Sequence, residues 1–264
     1  MNYPQLSATS ILLLAALVSP LLQAETAEEK GLAIATEADR RDSGFGDSSV
    51  ELVMTLRNRQ GEESVRNVRT QVLEVTGDGD KSMTIFDHPA DIKGTAMLTF
   101  SHALEPDEQW LYLPALKRVK RISSRNKSGP FMGSEFAYED LSSQEIPKYS
   151  YRWLRDEEVL GRNCFVVERT PRYENSGYTR QLAWIDQERY IALKIDFYDR
   201  KESLLKTLEM SDYQQYLDQY WRADRFEMVN HQNGKSTTLE FRDYQFGSGL
   251  SDADFNKNSL KRAR

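Results

Sequence analysis

Apolar and polar residues alternate with a period of two through most of this chain, and this alternation constrains the fold more than any other feature. In residues 50–57, Val, Leu and Met occupy every second position. Since successive side chains of a β-strand point to opposite faces, this pattern predicts a half-buried strand. By the same reasoning we expect about a dozen strands. They lie near residues 50–57, 68–75, 81–86, 94–100, 109–113, 118–122, 149–154, 164–170, 179–185, 191–198, 205–210, 225–230 and 237–246.

Short turns join most of these stretches, as at residues 58–61, and no strand–helix–strand alternation or internal repeat occurs. The sequence therefore predicts a mainly β fold, an antiparallel meander curled into a barrel or half-barrel. The alternation slips between Phe241 and Tyr244, which predicts a β-bulge. A capping-box pattern at Thr26 and Glu29 predicts one N-terminal helix over residues 27–41.

The N-terminus has the zones of a cleavable signal peptide, over residues 1–24. An apolar run from Ile11 to Leu22 follows a short polar stretch and precedes the small residue Ala24. The run is 12 residues long, whereas a helix needs about 20 to span a bilayer. We therefore expect an exported protein whose residues 25–264 form one domain.

The residue types present exclude several functions. The formal net charge is −6, which argues against a nucleic-acid partner because phosphate neutralisation dominates such binding. The three histidines lack the spacing of a metal site or a catalytic triad, and no phosphate-binding loop motif occurs. The single cysteine, Cys164, stands in a strand-like context and is predicted to be a small buried group. We expect no catalytic residue, no metal and no cofactor; a hydrolase stays open as an alternative without a motif to support it.

Residues 123–148 interrupt the alternation. They are rich in Ser and Gly but also carry large apolar side chains. Segments of this length without strands are uncommon in compact domains, and the apolar residues argue against plain disorder, so we expect a lid with a short helical turn near residues 139–144.

The strand at residues 109–113 carries large apolar groups on both faces, which predicts burial on both sides and an apolar cavity lined from here. The candidate cavity and lid residues are Trp110, Tyr112, Leu113, Phe131, Met132, Phe136 and Tyr138.

A basic cluster follows that strand and contrasts with the acidic balance of the chain. It has two interpretations: a solvated hairpin that keeps a sheet edge soluble, or a docking surface for an acidic partner or anionic head groups. The candidate docking residues are Lys117, Arg118, Lys120 and Arg121.

These residues also carry a resemblance to a known family. The motifs are Trp110-x-Tyr112-Leu113-Pro114, Arg118-Val119-x-Arg121-Ile122, Phe131-x-Gly133-Ser134-x-Phe136, Glu139-Asp140-Leu141, Asp254-Phe255 and Ser259-Leu260. With them the chain resembles the outer-membrane lipoprotein-sorting-like proteins, relatives of the periplasmic lipoprotein carrier LolA. The resemblance implies a strongly curved, incomplete β-barrel with a few covering helices and an apolar cavity between them. In the carrier, such a cavity holds acyl chains.

Together, the signal, the strands and the resemblance predict a monomeric periplasmic carrier or chaperone. Its ligand would be a lipid, a lipoprotein acyl chain or another hydrophobic molecule. The resemblance also implies work with an inner-membrane exporter of the resistance-nodulation-division type or with an outer-membrane acceptor. The alternative is a lipid-sensing adaptor that regulates a membrane partner. An integral outer-membrane barrel is disfavoured, because charged residues on its strands would be costly in lipid.

Overall fold

One antiparallel sheet of 13 strands carries most of the structure. The computed structural model describes residues 24–263, so the predicted signal peptide lies outside the described residues except for Ala24. The strands are β1 (Asp47–Arg57), β2 (Glu63–Leu73), β3 (Lys81–His88), β4 (Ala96–Phe100), β5 (Glu108–Leu113), β6 (Arg118–Ile122), β7 (Tyr149–Val159), β8 (Arg162–Pro171), β9 (Tyr178–Asp186), β10 (Ala192–Asp199), β11 (Leu204–Tyr216), β12 (Tyr220–Asn230) and β13 (Ser236–Phe246). Each lies where the alternation predicts a strand.

The strand order shows how the sheet curls without closing. Neighbours in sequence pair with each other, β1 pairs with β13, and β6 and β7 are the two free edges. Buried side chains from distant strands, among them Phe86 of β3, Tyr149 of β7 and Leu239 of β13, meet in one core. A sheet can bring them together only if it is strongly curved, so the predicted incomplete barrel is confirmed.

The predicted bulge in β13 is also present. Ser49 pairs with Gln245 and Glu51 pairs with Arg242, so two residues of β13 lie opposite Val50. One of them, Asp243, has a φ of 56°. The extra residue explains why the alternation slips before Tyr244, since a bulge shifts all later side chains to the other face.

Helix α1 (Ala27–Asp42) packs along β7 on the concave face of the sheet. The Thr26 hydroxyl accepts from the Glu29 backbone N–H, and the Glu29 carboxylate accepts from the Thr26 backbone N–H, as the capping box predicts. Gly31 is required here because a Cβ would lie 2.6 Å from the backbone nitrogen of Trp153. The helix therefore forms one wall of the concave side.

The outer face of β3, β4 and β5 is covered by the C-terminal segment, which includes the short helix α2 (Lys257–Arg262). Phe255 and Leu260 are buried against Trp110, and the Lys257 ammonium lies 4.6 Å from the centre of the Trp110 ring. Leu111 belongs to the concave core instead. Both faces of β5 are thus buried, as its sequence predicts.

Cys164 on β8 is fully buried and free, and burial raises the pKa of its thiol to about 11. It packs with Trp184 and Leu193 on the face opposite the concave core. The prediction of a small buried group is confirmed, and the raised pKa disfavours the reactive thiolate at neutral pH.

Residues 123–148, the crossing segment, connect β6 to β7 and therefore run from one free edge of the sheet to the other. Contacts with Arg66, Lys206 and Thr237 show that the segment passes over the concave face. Its regular structure consists of short 3₁₀ turns at Ser124–Asn126, Phe131–Gly133, Tyr138–Leu141 and Ile146–Lys148. Among residues 24–263, no helix is long and apolar enough to cross a membrane.

Candidate functional site

The crossing segment fills one end of the concave face, which we call the filled end. Phe131 and Phe136 are buried there, and the Phe131 ring lies 5.7 Å from Phe86 and 5.6 Å from Tyr138 between ring centres. The Phe131 backbone N–H donates to the Phe136 carbonyl at 2.7 Å, and Gly133 supplies the φ of 79° that the tight turn needs. The Phe-x-Gly-Ser-x-Phe motif therefore builds an apolar knob that occupies the core.

Polar contacts hold this knob in place. The Lys206 ammonium pairs with the Asp140 carboxylate at 2.7 Å, and their side chains are only 4% and 7% exposed. The Tyr178 hydroxyl donates to Asp140 at 2.8 Å, and Lys206 also donates to the Glu135 carbonyl at 2.8 Å. A buried ion pair that is also hydrogen-bonded is costly to break, so this part of the segment is fixed.

Further polar contacts hold the rest of the segment in place. Glu139 accepts from the Gly177 backbone N–H at 2.7 Å and from the Ser176 hydroxyl at 2.8 Å, while burial raises the pKa of its carboxyl. Near β7, the buried Lys148 ammonium pairs with Asp107. The segment crosses the concave face as a lid would, but its contacts are those of a fixed plug.

The other end of the concave face, the open end, contains a cavity of about 1630 Å³. It lies between α1, the last residues of the crossing segment and the ends of strands from both halves of the sheet. Its wall is apolar where the strands face inward. The apolar residues that line it include Val50, Val72, Val167, Ala183, Ile185, Ala192, Ala223, Phe226 and Phe241.

Charged side chains of both signs also line the cavity, and the acidic ones outnumber the arginines. Asp39 and Asp42 come from the end of α1, Glu74 and Asp80 from the β2–β3 turn, and Glu145 from the crossing segment. Burial, together with the neighbouring carboxylates, raises the pKa of Asp80 to about 7. Burial also raises the pKa of the Glu145 carboxyl. Asp42 is exposed and pairs with Arg222, which lines the cavity as well.

One cation lies on the inner wall of this cavity. Arg169 of β8 is 8% exposed and donates from Nε to the side-chain oxygen of Gln181 at 2.6 Å. Its Nη1 donates to the side-chain oxygen of Gln144 in the crossing segment. Burial lowers the pKa of the guanidinium.

The structure places the seven predicted cavity and lid residues outside the cavity lining. Trp110 and Tyr112 lie on the outer face of β5, against the C-terminal segment. The other five belong to or pack against the concave core at the filled end. They are Leu113, Phe131, Met132, Phe136 and Tyr138. A direct role for any of the seven in ligand contact stays a prediction.

Sequence reasoning missed the residues that do line the cavity. The available signal was small side chains at inward positions of strands, since Ala183, Ala192 and Ala223 leave space where larger residues would fill the core. Alternation identifies those positions as inward only after the concave face is known, which requires the pairing of distant strands.

The four predicted docking residues lie at the edge strand β6 and the turn before it. Lys117, Arg118, Lys120 and Arg121 are exposed, and Arg121 pairs with Glu108 of β5 at 2.9 Å. This position fits both interpretations of the cluster, because exposed charge also protects a free sheet edge.

Comparison with known proteins places the chain among related structures. The model of a family described as an uncharacterized protein matches residues 78–262. A crystal structure of an outer membrane lipoprotein-sorting protein domain from Vibrio parahaemolyticus is 60% identical, with a TM-score of 0.88 over 89% of this chain and 100% of that one. A DUF1329 family protein from Desulfovibrio piger is 30% identical, with a TM-score of 0.84 over 89% of this chain and 99% of that one.

A LolA superfamily protein from Nitrosomonas europaea is 22% identical, with a TM-score of 0.69 over 87% of this chain and 98% of that one. At this identity the likeness shows a shared fold. Among curated proteins, none matches the chain significantly.

Proposed function

Because this chain belongs to the family of outer membrane lipoprotein-sorting proteins, we propose that it is a periplasmic, non-catalytic carrier of a hydrophobic ligand. The ligand class is a lipid, a lipoprotein acyl chain or another amphiphile, held in the cavity of the open end. The observation that carries the proposal is this cavity of about 1630 Å³ with an apolar inner wall.

The energetics favour such a ligand. Burying an acyl chain gains about 0.8 kcal/mol for each CH2 group. Ligand pockets for drug-sized molecules measure about 300–1,000 Å³, so the larger cavity can take at least one long chain. The cavity is open at its mouth, which allows a ligand to be loaded and released without displacement of the buried Lys206–Asp140 pair.

Uptake of a neutral hydrophobic dye, N-phenyl-1-naphthylamine, tests the proposal directly. Ala38 of α1 lines the cavity, whereas Ala33 of the same helix is exposed and lies outside it. We expect Ala38→Trp to weaken dye binding at least about tenfold, because the indole occupies ligand space, and Ala33→Trp to change it less than about twofold. Wild-type protein that binds no dye after delipidation would contradict the carrier proposal.

Native mass spectrometry of the protein taken from its own periplasm identifies the ligand class. The carrier proposal expects a lipid-sized mass on part of the protein. The same measurement tests export, because the mature chain is expected to begin at Glu25 after removal of residues 1–24. A cytoplasmic fraction that holds the intact chain would contradict the periplasmic location.

A second candidate is a lipid-sensing adaptor of a membrane partner, such as an exporter of the resistance-nodulation-division type. The exposed basic residues on the free edge β6 favour it. In this case charge reversal at Arg118 and Arg121 abolishes partner binding while dye uptake survives. Loss of both activities together would favour a general defect over an adaptor.

A further inference from the structure

Arg169 is a buried cation whose hydrogen bonds within the protein are incomplete. Its two partners, Gln181 and Gln144, are neutral amides. Its Nη2 is buried and has no hydrogen-bond partner among the described residues, and none of their carboxylates forms an ion pair with it. A guanidinium stays charged in proteins, so the group cannot escape the cost of burial by losing its proton.

The position of Arg169 connects this cation to the ligand space. In the sheet register it lies directly opposite Tyr151 of β7 on one side and Gln181 of β9 on the other. Arg169 and Tyr151 both line the cavity. The Tyr151 hydroxyl and the Arg169 guanidinium therefore lie on neighbouring strands of the inner wall, and of the two only the guanidinium has a buried nitrogen without an acceptor among the described residues.

Apolar residues begin immediately next to these donors. The next inward-facing pair in the register is Val167 with Ala183, and Ile185 follows on β9. A polar anchor beside a continuous apolar wall matches a molecule with a charged head and a hydrocarbon tail.

We propose that Arg169, assisted by the Tyr151 hydroxyl, binds the anionic head group of a long-chain amphiphile, with its hydrocarbon tail against the apolar wall. The inference rests on the proposed carrier function and names its substrate class. An oxyanion such as a carboxylate or phosphate supplies a charged acceptor to a guanidinium whose partners in the protein are two neutral amides, and guanidinium–oxyanion contacts are the strong, charge-assisted kind. The head group is that of a lipid, not a free anion.

The excess of acidic over basic residues in the cavity lining supports the choice of a lipid over a free anion. The cavity lining holds more carboxyl groups than arginines, and those carboxyl groups that are ionised oppose the entry of a small soluble anion such as phosphate. An amphiphile offsets this repulsion with the burial of its tail, which gains free energy for each CH2 group. The site is thus selective for anions that carry a chain.

The first test uses the wild-type protein and two fluorescent ligands, cis-parinaric acid and its methyl ester, at a pH where the free carboxyl is ionised. We expect the acid to bind about 10- to 100-fold more tightly, the factor that corresponds to one or two charge-assisted hydrogen bonds. Inorganic phosphate is expected not to displace the acid. If the ester binds as tightly as the acid, or if phosphate displaces the acid, the inference is overturned.

Variants then assign the preference to Arg169. Arg169→Gln is expected to remove the preference for the acid while binding of the ester changes less than about threefold, and Arg169→Lys is expected to retain part of it. Arg225 lies outside the cavity lining and pairs with Glu227 and Glu240, so Arg225→Gln is the control and should leave the preference unchanged. An unchanged preference in Arg169→Gln, or an equal loss in Arg225→Gln, contradicts the assignment.

The outcomes separate this inference from the carrier proposal. Wild-type protein that binds neither parinaric acid nor its ester overturns the carrier function itself. Binding of both with equal affinity leaves the carrier function intact and overturns only the role of Arg169. If Arg169→Gln does not fold, Arg169→Lys decides: a reduced preference for the acid supports the assignment to Arg169, and an unchanged preference contradicts it.

Discussion

The two ends of the concave face belong to one sheet and follow one alternation, yet one is packed and the other is hollow. At the filled end the inward residues are large, such as Phe86 and Met228, and the knob around Phe131 covers them. At the open end small residues such as Ala183 and Ala223 face inward, and the crossing segment contributes only its last residues. The comparison shows that a cavity in a curved sheet arises where small inward side chains coincide with a gap in the covering segment.

The two ends also differ in the hydrogen-bond acceptors of their buried cations. At the filled end the Lys206 ammonium has both a carboxylate and a carbonyl as acceptors. At the open end the Arg169 guanidinium has two amide acceptors and one unpartnered nitrogen. A carboxylate partner suits a structural anchor, whereas a buried cation with only neutral acceptors suits a site that is completed by a ligand.

Removal of the anchor at the filled end is expected to have the largest effect on stability. Asp140→Ala leaves the Lys206 charge buried without its partner, which costs about 3–5 kcal/mol of unfolding free energy. Urea unfolding measures it. Arg225→Ala, which breaks ion pairs to the half-exposed Glu227 and Glu240, is the control and should cost less than about 1 kcal/mol. Equal losses in the two variants would contradict the special role of the buried pair.

A matched pair of phenylalanine truncations compares the ends directly. Phe131→Ala at the filled end removes a side chain that is 1% exposed and is expected to cost about 3–5 kcal/mol. Phe226 lines the open cavity and is only partly buried, so Phe226→Ala should cost less than half as much. Denaturant midpoints of the two variants give the difference. Similar costs would mean that the open end is packed in solution.

Acidity is expected to stabilise the open end. Asp80 has a folded-state pKa of about 7, above the ordinary value near 3.9. Between these values the folded state holds a proton that the unfolded state has lost, so stability rises as the pH falls from 7 towards 5. The slope is at most about 1.4 kcal/mol per pH unit for this group. Asp80→Asn should flatten the dependence of urea unfolding on pH over that range; an unchanged slope would contradict the assignment to Asp80.

The smallest effect on stability is expected at the edge strand, away from both ends. Arg118→Glu with Lys120→Glu should change the unfolding free energy by less than about 0.5 kcal/mol, because both side chains are exposed. If the basic cluster is a docking surface, the same double variant should lower co-sedimentation with vesicles that contain anionic lipid. Undiminished co-sedimentation would leave protection of the sheet edge as the role of the cluster.

The strands were predictable because alternation is a local property of the sequence. The N-terminal helix and the bulge near Tyr244 were predictable for the same reason, since capping residues and a slip in the alternation are visible within a few positions. The cavity lining was not. Tyr151, Val167 and Ala183 become neighbours only through the pairing of β7, β8 and β9.

The motif that carries the family resemblance illustrates the limit. In the sequence, Phe131 and Phe136 are candidate lid residues and Asp140 belongs to a motif of the resemblance. In the structure, the two phenylalanines fill one end of the concave face, and Asp140 pairs with Lys206 to anchor it. Trp110 stood out for its size, and it packs under the C-terminal segment on the outer face. Large side chains are conspicuous in a sequence, whereas the space of this cavity arises at small inward residues such as Ala183 and Ala223, which are not.

By itself, the sequence determined that this chain forms a long antiparallel meander with one capped helix and a strand-free crossing segment. Periodicity, capping and turn residues act over short distances, and they suffice for these elements. Only the tertiary structure decided which face of the sheet became concave, which end the crossing segment filled, and that Arg169 faces the remaining space. Those outcomes depend on contacts between residues far apart in the chain, and a period of two assigns side chains to alternate faces without saying what each face will meet.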